Sequence, residues 1–146
     1  MMRYIFLIIC FLGFLTCAAQ HHTEKNTPKK FEEKLLLKQT FSDSSFAGKE
    51  VRIETLTIPP ASKDFAPHRH NCHLLGYILN GNIVTKMKDK EALHLSQGQT
   101  FYEYPNELHE YIYNPNEKEK AVILLYYLYD KGASLYSKEK QTRENQ

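Results

Sequence analysis

Cysteine is scarce where it could cross-link. Of the three cysteines in 146 residues, Cys10 and Cys17 fall in an N-terminal apolar stretch, which leaves Cys72 alone in the remainder. With that stretch removed no intramolecular disulfide can form, so an apolar core must carry stability. A dominant charge is missing too: 19 Lys+Arg stand against 17 Asp+Glu, net +2. Removing residues 1–19 deletes Arg3 and no acid, so 18 against 17 leaves +1. Nucleic-acid recognition needs a concentrated basic stripe, which this balance does not supply. The apolar run from Tyr4 to Phe14 is too short for a comfortable transmembrane helix. No segment before Gly132 has helical periodicity.

What is present begins with an export signal. Arg3, the apolar run and the small-residue exit Thr16-Cys17-Ala18-Ala19-Gln20 read as a signal peptide over residues 1–19, cleaved after Ala19. That places the mature protein in the periplasm. Leu15-Thr16-Cys17 also loosely resembles a bacterial lipoprotein box, although Thr16 suits it poorly. The alternative is an outer-membrane or surface lipoprotein anchored at Cys17. Residues 20–34 are polar, with Pro28 and Lys29-Lys30, and read as a linker or N-terminal arm. The pair His21-His22 within it reads as solvated. About 100 residues then remain, enough for one core and not for two.

Those residues read as short strands between turns. Leu35–Phe41, Val51–Ile58, Cys72–Leu79, Ile83–Met87, Ala92–Leu95, Thr100–Tyr104, His109–Tyr113 and Ala121–Tyr129 are the expected strands. In the second of them Val51, Ile53 and Thr55 share one face while Leu56 and Ile58 share the other, so a bulge near Thr55 is expected. Asn80-Gly81 between apolar runs is a strong hairpin signal. Many short, evenly spaced strands imply an all-β sandwich or barrel over residues 35–135, followed by a polar tail over 136–146.

The chemistry concentrates in His68-Arg69-His70. Histidines one residue apart on an extended segment point to the same side. With His109 from another strand they would form a three-nitrogen metal site with open coordination positions, the layout of a reactive or ligand-binding centre. Glu103 shares a strand face with Phe101. If Phe101 packs inside, Glu103 does too, and a buried carboxylate needs a partner such as a metal ion.

These motifs resemble those of a small single-domain cupin, a double-stranded β-helix or jelly-roll barrel. His68, His70 and Gly81 match the first cupin motif, and Gly98, Pro105, His109 and Asn114 match the second. The likeness is closest to an exported bacterial type and covers roughly Leu35 to Leu135. It departs at one point: leucines 74 and 75 stand where the family's metal-binding glutamate belongs. The resemblance therefore implies either a three-histidine site or one completed by Glu103. It also implies a divalent transition metal (Fe, Mn, Ni or Zn) and a homodimer formed through edge strands and the N-terminal segment.

Two functions follow. The first is a mononuclear-metal cupin acting on a small organic molecule, with dioxygenase- or isomerase-like chemistry and Glu103 as a ligand or a general base. The second is a non-catalytic binding module for a small ligand or metal. Tyr77, Ile83, Met87, Phe101 and Tyr111 are the expected pocket wall. His73 is expected at the rim, His94 in solvent, and Cys72 either beside the metal or as a small buried hydrophobe.

Overall fold

The computed structural model describes residues 30–139; the expected signal peptide, Cys17 and His21-His22 lie outside the described residues. The described chain is all β. Its strands are β1 (Glu32–Thr40), β2 (Lys49–Ile58), β3 (Lys63–Asp64), β4 (His68–His70), β5 (His73–Asn80), β6 (Asn82–Met87), β7 (Leu93–Ser96), β8 (Thr100–Glu103), β9 (Leu108–Tyr113), β10 (Ala121–Asp130) and β11 (Tyr136–Lys138). They form a five-stranded sheet in the order β1-β2-β10-β5-β8 and a six-stranded sheet in which β11-β4-β9-β6-β7 are neighbours and β3 joins β9. Every pairing is antiparallel. Among the described residues no helix is long and apolar enough to cross a membrane.

Period-two burial fills the space between the sheets. Along β10 the buried positions are Ala121, Ile123, Leu125, Tyr127 and Tyr129, and along β5 they are Leu74, Gly76 and Ile78. Asn114, 1% exposed, ties the core's end together: its Nδ2 donates to the carbonyls of Ile58, Pro59 and Glu119.

Several boundaries and faces differ from expectation. The β1 strand starts at Glu32, and Phe31 packs on the core, so the barrel takes in the end of the expected linker. Tyr136–Lys138, expected as tail, pairs with β4 as β11. Asn80-Gly81 closes no hairpin. It carries the chain from the five-stranded sheet into the other, since β5 pairs with β10 and β8 while β6 pairs with β7 and β9. Gly81 at φ 76 suits that corner, where a Cβ would also stand 3.0 Å from the Lys120 carbonyl. The β2 strand has an unbroken register with β10, without the expected bulge. Its inner face is the even set, which brings Glu50, Arg52 and Glu54 inward with Leu56 and Ile58.

Candidate metal centre

Two neighbouring strands of the six-stranded sheet bring the histidines together. His68 on β4 pairs directly with His109 on β9, and residues opposite one another project to the same face. His70 follows two residues along β4. One ring nitrogen from each of His68, His70 and His109 lies within 4.8 Å of the other two.

The hydrogen bonds aim two of these rings. His68 Nδ1–H donates to the Ala66 carbonyl at 2.9 Å, so neutral His68 turns a bare Nε2 inward. His109 Nε2 lies 2.9 Å from Thr85 Oγ1. In the tautomer where Nε2–H donates to that hydroxyl, Nδ1 is bare and faces His68 Nε2 at 3.3 Å. Two lone pairs facing at that distance repel unless a cation lies between them. Nitrogens about 2.1 Å from a tetrahedral ion stand about 3.4 Å apart, so the spacing fits a shared metal. Buried atoms without partners complete the case: His70 Nδ1 and Glu103 Oε2 make no hydrogen bond, a state a buried polar atom tolerates poorly. The donor set therefore fits a divalent transition metal.

Burial sets the charges. It lowers His70 to about 3, assisted by the charges of His68 and His109. It also lowers His109 to about 4, with His68 contributing. Both rings are thus neutral at physiological pH, the form that binds metal. Burial raises Glu103 to about 8, and Glu107 adds to the shift. Cys72 is raised to about 11 by burial and then by Glu103, so it is an unreactive thiol. Its Sγ donates to the Leu135 carbonyl at 3.7 Å.

The sign of each shift gives a pH profile for the metal-free protein. Between about 4.5 and 6.5 the unfolded chain protonates both histidines while the folded chain does not, so stability is lost as pH falls. Between about 6.5 and 8 the folded Glu103 holds a proton that the unfolded chain has released, so stability falls as pH rises. Urea midpoints of chelator-treated protein should therefore peak near pH 6.5. A monotonic rise through pH 8 would show that Glu103 is not a buried neutral acid.

The site opens into a cavity of about 560 Å³, lined by all three histidines, Glu103, Phe101 and Tyr127 among others. Glu103 is 4% exposed and its Oε2 lies 3.4 Å from His70 Nε2. It sits against one histidine and stands outside the mutual three-histidine cluster.

Of the expected wall, Phe101 lines this cavity. Ile83 is buried in the core without lining it. Met87 lines a separate cavity of about 210 Å³ that also reaches Phe101 and Glu103. Tyr77 is on the outer face of β5, exposed, because Leu74, Gly76 and Ile78 take the inner face. Tyr111 is displaced by a bulge. The register between β6 and β9 slips between Lys86↔Tyr111 and Met87↔His109, so His109 and Ile112 both face inward and Tyr111 packs against Phe65. His73 is not at the rim: it projects outward from β5 and bonds the Tyr102 hydroxyl. His94 is exposed as expected.

Sequence reading missed Tyr127, whose ring lies 6.0 Å from His70, and Thr85, which orients His109. It also missed Arg52 and Glu54 on the cavity wall, joined by an Nε to Oε2 ion pair at 2.6 Å. The signal for that pair was present, since both share parity with Leu56 and Ile58.

The Cupin domain family matches residues 54–127, half of the chain and both histidine-bearing motifs. The chain belongs to the cupins. No curated protein matches it. Solved cupins share its fold. The DMSP lyase DddQ of Ruegeria pomeroyi aligns at TM-score 0.58 and 15% identity, over 73% of this cupin and 50% of the lyase. This cupin thus spans about half of that protein. A double-stranded β-helix protein from Klebsiella pneumoniae aligns at TM-score 0.57 and 13% identity, over 79% and 89% of the two chains. A cupin superfamily protein from Desulfitobacterium hafniense aligns at 0.52 and 17%, over 71% and 82%. At such identities the likeness is one of fold.

Proposed function

We propose that the protein is an exported mononuclear-metal cupin acting on a small organic molecule by proton abstraction. His68, His70 and His109 are the ligands and Glu103 is the general base. The observation that carries this reading is Glu103: a buried carboxyl without a partner on Oε2, 3.4 Å from His70 and facing the same cavity. Export is supported by Arg3, the Tyr4–Phe14 run and the small-residue exit.

A divalent metal bound there supplies a Lewis acid that acidifies a carbon next to an oxygen it polarises. Glu103 takes that proton and returns it; burial raises its basicity to a range useful near neutral pH. Phe101 and Tyr127 wall the cavity and exclude water from the transfer. This is isomerase- or lyase-type chemistry, preferred over dioxygenase chemistry because the latter leaves the orphan carboxyl without a role. One fold neighbour is named a lyase, which agrees with non-oxidative chemistry on this barrel and carries nothing about substrate.

The test is solvent deuterium uptake by a panel of small 2-oxo and 2-hydroxy acids, followed by NMR with metal-loaded protein. Exchange should fall about 10²- to 10⁴-fold in Glu103→Gln while metal content is retained. Equal exchange in both proteins removes the base role. A compound that raises the melting temperature without exchange or product favours the binding-module reading.

A further inference from the structure

Two arginines lie among the described residues, Arg52 and Arg69, and their donors are spent differently. Arg69 gives Nε and Nη2 to the Glu139 carboxylate and Nη1 to the Asn106 carbonyl. Arg52 gives only Nε, to Glu54 Oε2 at 2.6 Å. Its Nη1 and Nη2 bond nothing among the described residues, although the side chain stands on the cavity wall. Burial works against the guanidinium charge, and the bond and charge of Glu54 more than offset it, so the cation persists. An ion pair built only for stability gains from closing its remaining donors. This one leaves one edge of a planar fork open, the shape that takes a carboxylate through two parallel N–H bonds. Glu54, its side chain 3% exposed against 27% for Arg52, fixes the direction in which that edge points.

Register places this edge relative to the histidine site. Arg52 pairs with Tyr127, Tyr127 with Leu74, and Leu74 with Glu103. These four form one row across β2, β10, β5 and β8, and all four line the cavity. Three strand spacings separate the backbones of Arg52 and Glu103, about 14 Å. The row therefore reads cation, aromatic ring, leucine, acid, with the Tyr127 ring 6.0 Å from that of His70. A ligand that matches it is polar at both ends and apolar between.

We propose that the cavity takes a dicarboxylic acid. One end lies at the three histidines beside Glu103, the carbon chain crosses Leu74 and Tyr127, and the far carboxylate is held by Nη1 and Nη2 of Arg52. The first end rests on the metal-dependent reading above, and the Arg52 end does not. A carboxylate suits Arg52 better than a phosphate, because this is a single cation among acids. Glu54 already accepts from it, and Glu33 and Asp64 line the same cavity. Lys138, the other cation on the wall, pairs with His68 at the opposite end. A phosphate would bring close to two negative charges to that one guanidinium.

Titration calorimetry of the purified protein, zinc-loaded and chelator-treated, tests this with succinate, glutarate and adipate beside butyrate, pentanoate and hexanoate. At the length that spans the row, the diacid should bind about 10- to 100-fold tighter than the monoacid of equal carbon count, the effect of one charge-assisted fork. In wild type labelled with 15N-arginine, that diacid should shift the Arg52 Nε–H signal and leave that of Arg69 in place. This arm needs no substitution. Arg52→Gln alone strands a buried Glu54, so the variant is Arg52→Gln/Glu54→Gln, which keeps a neutral hydrogen-bonded pair. It should lose the diacid preference and keep its metal. A preference that is present in the chelated protein and gains nothing from zinc supports the Arg52 end and removes the metal end. Equal binding of diacids and monoacids overturns the proposal, as does an unmoved Arg52 signal or a preference that survives the double variant. So does 3-phosphonopropionate binding more tightly than every diacid.

Discussion

Protein purified without a histidine tag should carry close to one divalent transition metal per chain, and His68→Ala/His109→Ala should carry none. His68 Nε2 and His109 Nδ1 face one another at 3.3 Å, so removing both rings removes two of three ligands and leaves His70 alone. Elemental analysis of both proteins, before and after reconstitution with Fe, Mn, Ni and Zn, is the check. The element found also sorts the chemistry, since Zn favours proton transfer and Fe admits oxygen. A graded arm tests orientation. Thr85→Val removes the hydroxyl 2.9 Å from His109 Nε2 and frees that ring to turn, so metal affinity should fall about 10- to 100-fold without abolishing binding. Metal absent from every preparation, reconstituted ones included, would make the histidines a polar patch in a cavity wall and leave the binding module as the standing reading.

The second large effect is at Gly76, where space is the constraint. A Cβ built there would lie 2.1 Å from Phe101 Cε1 and 2.2 Å from Cζ. Gly76 and Phe101 are register partners on β5 and β8, and the Phe101 ring lies over the glycine. Gly76→Ala must therefore push the ring aside. The expected cost is about 3 kcal/mol, at the upper end for overpacking, or roughly 12–20 °C in melting temperature for a domain of this size. Phe101→Ala leaves a hole and should cost about 3–4 kcal/mol alone. The double variant should be about 2 kcal/mol more stable than the sum of the two, because each change relieves the other. Additive losses would mean that the ring does not occupy the glycine's space.

How much of this was written in the sequence depends on the residue. The histidines were legible because a His-x-His on a strand and a third histidine in a matching second motif constrain one another. Glu103 was legible through parity with Phe101, and the structure buries both. Tyr111 was not legible. Its parity with His109 holds only if β9 is regular, and the bulge before Ile112 inverts it. Arg52 and Glu54 were hidden by the rule that charged side chains face water; here the ion pair lets both line the cavity. The Asn80-Gly81 turn was correct as a corner and wrong as a hairpin, because turn chemistry does not say which sheet the next strand joins.

The β4 strand has consequences beyond its length. It is three residues long, carries two of the three histidines, and lies between β9 and β11. Its outer neighbour, Tyr136–Lys138, pairs residue for residue with His70, Arg69 and His68. Arg69 adds a clasp from its Nε to Glu139 at 3.0 Å. During synthesis, nearly all of the barrel emerges before the segment that pairs with the strand carrying His68 and His70. The pairing that holds His68 and His70 in place can therefore form only once residues 136–138 have been made.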